Sequence, residues 1–361
     1  MIGPTKLCPK GIGLVLLDLD DTVIIDGTKV TPRVMDAINL ARERGCMVCV
    51  ASGRDVHMVP GRMGSPECID YMVCANGARI FDTFGKTLHE TLMAKEQVLE
   101  AMDALEPLGA GWNAFIDGHS YFEWRGLSYM LVGRRMPLTQ TDARKSLHTG
   151  LGVSALGLGR TLRKVLRFGR RIVANDEGMS QVFRVRPYVE EAEEGIAKVG
   201  CSLPSDEACL RAIETLKHLG NFEVARMSKT ELEITAKGVT KGTGALWLMD
   251  YLGISPQCAV AFGDSENDAS LAKVCGIFVA VDNGDDRIKD IADDICESVY
   301  DDGVARWLER AMAEADASKH GADSTCDENA DLTCDEDADL ASDDAADNAP
   351  AGGDRPSDTE E

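Results

Sequence analysis

No apolar run in this chain approaches the roughly 18 residues that a membrane span requires, and the N-terminus lacks the long apolar core of a secretory signal. A cytoplasmic location and no membrane partner are the expectation. Basic residues are in deficit, with 38 Lys and Arg against 61 Asp and Glu and a formal net charge of -23. That balance disfavours duplex nucleic acid as the main partner, because binding it takes basic patches that neutralise phosphates. Anionic small molecules stay open wherever cations gather locally. Disulfide and metal-thiolate chemistry are not indicated either. The 12 cysteines are scattered, and Cys46, Cys49, Cys74, Cys258 and Cys275 fall in or beside apolar runs, where a thiol packs as a small hydrophobe. Cys46 and Cys49 have C-x-x-C spacing, but the run around them reads as a strand, which turns i and i+3 to opposite faces.

Most of the negative charge sits in one place. Residues 314–361 carry 17 Asp and Glu against Lys319 and Arg355. The stretch has few large apolar residues and a loose repeat (Thr325-Cys-Asp-Glu-Asn-Ala-Asp-Leu, then Thr333-Cys-Asp-Glu-Asp-Ala-Asp-Leu), so burial cannot offset the entropy of ordering it. It is expected to be a disordered tail, and it lacks the glycine and terminal Glu of a calcium-binding loop.

What remains is long enough for two folded units. Residues 12–19 form an apolar run ending in acid, as a strand buried on both faces of a parallel sheet reads. Thr31 and Pro32 then open a helix that Gly45 closes, and Met47–Ala51 and Tyr71–Ala75 read as further buried strands. Asn76-Gly77 is a turn dipeptide leading to a short strand at 79–81. The rhythm returns late: a helix over 240–252, a strand over 259–262, a helix over 267–274 and a strand over 277–281. The region between has another texture, with helices near 95–106 and 205–219 and strands near 113–124, 197–203, 222–227 and 231–235. The fold expected is α/β: a Rossmann-like parallel-sheet core (10–83 and 237–312), an inserted α+β cap (84–236), and the tail (313–361).

Four motifs fall at strand ends or at a helix start bordering one crevice. Asp18-Leu-Asp20-Asp21-Thr22 ends the first strand, the edge at which open α/β sheets bind ligands. Asp18 and Asp20 share a face, and carboxylates gathered there repel unless a cation joins them; hard oxygen ligands favour magnesium. Gly263-Asp264-Ser-Glu-Asn267-Asp268 supplies further carboxylates at the end of another strand. Ser52-Gly53-Arg54 offers a hydroxyl to a phosphoryl oxygen, and Lys241-Gly242 a cation for charge gathering in a transition state.

In this order, and with a large insertion between the second and third, the motifs resemble the haloacid dehalogenase superfamily. More narrowly the chain is similar to its Cof-type (IIB) phosphatases with a C2B cap, over residues 10–312. The resemblance implies Asp18 as nucleophile, Asp20 as general acid/base, and Ser52, Gly53, Lys241 and Asn267 as phosphate binders. It implies Mg2+ held by Asp18, the Asp20 backbone carbonyl and Asp264, supported by Asp268, with Asn76 and Gly77 in a substrate loop. Asp21 stands where Cof-type proteins usually carry glycine. The expected activity is hydrolysis of phosphate monoesters of small metabolites (sugar phosphate, nucleotide or flavin mononucleotide) through an aspartyl phosphate. A sugar phosphomutase and a non-catalytic anion-binding or tail-mediated interaction protein are the alternatives. Oligomeric state is left open. Residues 134–171 carry ten Lys or Arg against one acid, Asp142. That segment is a solvated basic face, an anion-binding surface or a dock for the acidic tail.

Overall fold

The computed structural model describes residues 11–27, 29–126, 129 and 178–323. The basic segment 134–171 and the tail repeats lie outside the described residues. Strand β1 (Leu14–Leu17) is buried along its whole length. Its side chains alternate between two apolar layers, Val15 and Leu17 on one face of the sheet and Leu14 and Leu16 on the other. Helix α1 (Pro32–Glu43) starts at Pro32, with the Thr31 hydroxyl accepting from the Val34 amide at 3.3 Å. It leads to β2 (Met47–Ala51), β3 (Tyr71–Cys74), β4 (Arg79–Asp82) and β5 (Thr87–Glu90). Cys46 and Cys49 pack in opposite layers, as the strand period requires.

After β5 come α2 (Lys95–Leu105), β6 (Gly111–Ile116), β7 (His119–Glu123), β8 (Met179–Val182) and α3 (Arg186–Glu190). These are followed by β9 (Ile196–Ser202), α4 (Asp206–Leu219), β10 (Phe222–Arg226) and β11 (Glu231–Ala236). The chain then returns through α5 (Lys241–Leu252), β12 (Ala259–Gly263), α6 (Ala269–Ala272), β13 (Ile277–Val281), α7 (Asp286–Lys289), β14 (Asp294–Cys296) and α8 (Gly303–Asp323).

Among the described residues the strands form two sheets. One has eight strands in the order β14-β13-β12-β1-β2-β3-β4-β5, parallel from β14 to β3 and antiparallel at β4 and β5. The other has six, β10-β11-β9-β6-β7-β8. In the large sheet the chain steps from β1 to β2 and β3 on one side, and comes back through β12 to pair with β1 on the other, Leu14 opposite Ala259. Beyond the carboxyl end of β1 the strand order therefore reverses, which is where open α/β sheets leave a crevice. The two sheets meet through an apolar patch: Ala75 and Ala78 from the first pack with Phe115, Phe122, Met179 and Ala197 from the second.

Three boundaries differ from the sequence reading. β5 belongs to the large sheet, so the chain leaves the core after Glu90 rather than at residue 83; its polar, half-exposed residues belong to an edge strand, which carries little hydrophobic signal. Helix α8 continues to Asp323, past residue 313 where the tail was expected to begin. Alanines at 311, 313, 315 and 317 favour that extension. The helix expected over 267–274 is a 3-10 turn at Glu266–Asp268 followed by the short α6. Among the described residues no helix is long and apolar enough to cross a membrane.

Phe262 in β12 is fully buried, with the Trp307 ring of α8 edge-on at 5.2 Å. Phe262→Ala is expected to lower stability by about 3–5 kcal/mol, the range for emptying an aromatic site in a packed core. Urea denaturation followed by circular dichroism measures it; a loss below about 1 kcal/mol would show that this layer collapses to fill the space.

Candidate active site

Four loops converge beyond the carboxyl ends of β1, β2, β3 and β12. Asp18 follows β1 directly and is 4% exposed. Lys241 is the first residue of α5, a helix capped by the Thr240 hydroxyl, which accepts from the Thr243 amide at 3.1 Å. Its Nζ donates to Asp18 Oδ1 at 2.6 Å and to Asp268 Oδ1 at 2.7 Å, all three side chains being buried. The other oxygen of Asp268 accepts from the backbone amides of Asp264 and Ser265, both at 3.0 Å. Asp268 thus folds the turn after β12 and anchors the lysine at once. Gly263 makes this possible, since a Cβ there would lie 2.5 Å from the Asp268 side chain.

Carboxylate oxygens of Asp18, Asp264 and Asp268 all lie within 4.8 Å of one another. Burial raises the Asp18 carboxyl to about 7, against the pull of the Lys241 ammonium and with the push of Asp268 and Asp20. Burial also works against the charge on Lys241, but Asp18 and Asp268 outweigh it, and the lysine is held above its ordinary range. It stays an ammonium. One ammonium facing three buried carboxylates leaves room for a further cation, and an all-oxygen donor set suits a hard one.

Asp20 sits apart from that cluster. Its side chain is 52% exposed and takes a two-pronged contact from Arg54, Nε to Oδ2 at 2.8 Å and Nη2 to Oδ1 at 2.6 Å. Arg54 also donates to the carbonyls of Gly27 and Met58. The third residue of the Ser-Gly-Arg motif, given no role from sequence, thus holds the Asp20 loop against the loop after β2. Between Asp18 and Arg54 the backbone turns at Asp21, whose φ of +60° is left-handed. Glycine adopts that conformation freely and aspartate tolerates it better than most residues. The Asp21 carbonyl accepts from Asn283 Nδ2 at 2.7 Å, which pins the turn.

Ser52 is buried after β2, its hydroxyl accepting from the Arg54 amide at 3.2 Å. The loop after β3 is bound to it, the Asn76 amide donating to the Ser52 carbonyl at 3.0 Å and the Ala75 amide to the Arg54 carbonyl at 2.8 Å. Gly77, with φ of +95°, lies so close to α5 that a Cβ would come 2.1 Å from the Thr240 carbonyl. Asn267 Nδ2 donates to Asn76 Oδ1 at 3.2 Å and to Glu233 Oε2 at 3.3 Å. Glu233 and its partner Lys198 come from the second sheet and were not singled out from sequence. All the residues expected at the site lie on these loops except Lys241, which opens α5. Asp18, Asp264, Asp268 and Lys241 form one cluster, Asn76 and Asn267 join Glu233, and Asp20 pairs with Arg54.

The haloacid dehalogenase-like hydrolase family matches residues 15–308. The chain belongs to that family. Among curated relatives of this haloacid dehalogenase-like hydrolase is the 5-amino-6-(5-phospho-D-ribitylamino)uracil phosphatase YwtE of Bacillus subtilis (strain 168). It is 24% identical over 299 residues, which cover 83% of this chain and 98% of the relative. Among solved structures, a haloacid dehalogenase-like hydrolase from B. subtilis superposes with a TM-score of 0.67 at 22% identity, covering 82% of this chain and 99% of the other. The subclass IIB sugar phosphatase BT4131 superposes with a TM-score of 0.61 at 17% identity, covering 82% and 98%. The fold, a parallel-sheet core with an inserted cap, is that of the subclass IIB, Cof-type phosphatases.

Lys241→Met is expected to destabilise the metal-free protein by about 3–5 kcal/mol, because it leaves buried carboxylates without their counter-charge. Urea denaturation in a chelating buffer measures this, and a cost under about 1 kcal/mol would mean that the ammonium does not hold the cluster together.

Proposed function

We propose that this chain is a magnesium-dependent phosphatase of small phosphorylated metabolites, working through a phosphoryl group carried on Asp18. The observation that carries the reading is the buried Asp18 carboxylate, 2.6 Å from the Lys241 ammonium and within 4.8 Å of two further acids, at the reversal point of the sheet. A carboxylate so placed is fixed in one orientation, with an adjacent cation to offset charge on an incoming phosphoryl group. Asp18 and Asp264, with the Asp20 carbonyl, are the residues assigned to Mg2+. Asp268 spends its oxygens on Lys241 and two amides and supports them. Bound magnesium supplies charge neutralisation and orientation at the phosphoryl oxygens.

Each protein group then has a task. Ser52, the Gly53 backbone, Asn267 and Lys241 hold the non-bridging oxygens while Asp18 attacks phosphorus in line with the departing alkoxide. Asp20, two residues on and carried on a partly exposed loop, gives the alkoxide its proton and afterwards takes one from the water that attacks the aspartyl phosphate. Arg54 fixes where the Asp20 side chain starts, and Asp20 serves as the acid after it has left that contact and taken up a proton from solvent. The second sheet covers the crevice and lowers its water content. The substrate class follows the named relatives, a ribityl-phosphate phosphatase and a sugar phosphatase: a phosphate monoester on a small polyol or sugar-like alcohol.

A panel of phosphorylated metabolites, assayed for released phosphate with magnesium and again with excess chelator, tests this. The expected result is turnover of polyol or sugar phosphates that is lost on chelation, with Asp18→Asn lowering kcat by about a thousandfold or more. Turnover by Asp18→Asn at the wild-type rate, or turnover indifferent to chelator, would contradict the mechanism.

A further inference from the structure

We propose that Glu233 is a positioning residue, reaching from the cap sheet to fix the amides of Asn76 and Asn267 at the mouth of the acidic cluster. The inference rests on the phosphatase reading above. Glu233 lies on β11 and Lys198 on β9, neighbouring antiparallel strands in which Glu233 faces Gly200. Lys198 is two residues from Gly200, so both side chains project from one face of the sheet. The Lys198 ammonium pairs with Glu233 Oε1 and stands 4.7 Å from the centre of the Phe115 ring. Glu233 Oε2 accepts from Asn76 Nδ2 at 2.8 Å and from Asn267 Nδ2 at 3.3 Å. Asn267 is steadied from its other side, its Oδ1 accepting from Ser265 Oγ at 3.0 Å. The carboxylate also rests on the loop after β2: a Cβ on Gly53 would lie 3.1 and 3.2 Å from its two oxygens. Three of the four converging loops therefore meet on one carboxylate from the cap.

The charge matters to this arrangement. Burial alone would raise the Glu233 carboxyl, but Lys198 and Asn76 outweigh it and hold it below its ordinary range. Hydrogen bonds to an ionised acceptor are shorter and stronger than neutral ones. They act here on a strained segment, since Ala75, Asn76 and Gly77 have successive φ values of +49°, +56° and +95°. Non-glycine residues in that region are strained and persist where their surroundings over-determine them. Asn267, in turn, lies between Asp264 and Asp268, so its amide is aimed from a loop that the acidic cluster already fixes. A glutamine at 233 has one acceptor oxygen. It cannot satisfy Lys198 and both asparagine amides together, and its own NH2 must oppose one of them.

A double-mutant cycle tests the assignment, using inorganic phosphate as the probe and competitive inhibition as the readout. Wild type, Glu233→Gln, Asn267→Ala and the double variant are compared, with kcat and KM measured alongside. The expected result is that Glu233→Gln raises the inhibition constant of phosphate about tenfold, the scale of one charge-assisted hydrogen bond. In the Asn267→Ala background the same change is expected to add no more than about twofold, because the group being aimed is gone. An unchanged constant in Glu233→Gln, or an equal factor in both backgrounds, would overturn the positioning role. If Glu233→Gln does not fold, the pair Lys198→Met/Glu233→Gln, which removes both charges, enters the same cycle under the same expectations. A wild-type protein that neither turns over phosphate esters nor binds phosphate would instead fail the phosphatase reading itself.

Discussion

A buried ammonium organises this molecule. Lys241 is 1% exposed, and an ion of that size costs several kcal/mol to take out of water unless partners meet it closely. Asp18 and Asp268 do so at 2.6 and 2.7 Å. The dependence runs both ways, since the carboxylates gathered at this point could not stay together without a cation. The surrounding backbone is shaped to permit the contact. Gly263 lets Asp268 fold back onto its own strand end, and Gly77 lets the loop after β3 close on the first turn of α5.

The topology turns this local constraint into a site. Asp18 and Lys241 are 223 positions apart in the chain and touch because the segment after the inserted cap returns to pair β12 with β1. The pair is set by the register of β12 on β1 rather than by the length of chain inserted between them. The cap is nonetheless not independent of the core. An apolar contact at Phe115 and Ala75 sets it down, and Glu233 carries a charge from the cap sheet to the loops that surround Asp18. In the proposed mechanism the fixed chemistry and the variable cover are joined there.

The core was legible because strands buried on both faces read as apolar runs, and acids and a serine at the ends of such runs stand out. Asp18, Ser52 and Asp264 were singled out in this way, and Lys241 by its place at the start of a helix. Asp21 was legible as an oddity, and its φ of +60° gives the physical reason: the loop needs a left-handed residue, a conformation that glycine adopts freely and aspartate tolerates better than most. Glu233 and Lys198 left no such mark. In Glu231-Leu-Glu233-Ile the glutamate looks like the outward half of an ordinary alternating strand, and only the packing of the cap on the core makes that face an inner one. Arg54 was visible in its motif but its partner was not, because the contact to Asp20 joins two loops 34 residues apart. The edge strand β5 and the extension of α8 escaped for the opposite reason, since neither has the strong hydrophobic period that marks a buried element.

In the proposed mechanism Asp18, held by Lys241, carries the phosphoryl group. The stereochemical course at phosphorus decides between one displacement and two, using a phosphorothioate ester made chiral at phosphorus with two oxygen isotopes, hydrolysing it in water enriched in the third, and analysing the configuration of the thiophosphate released. Two successive in-line displacements, first by Asp18 and then by water, predict overall retention. Inversion would mean a single direct attack by water and would contradict the account.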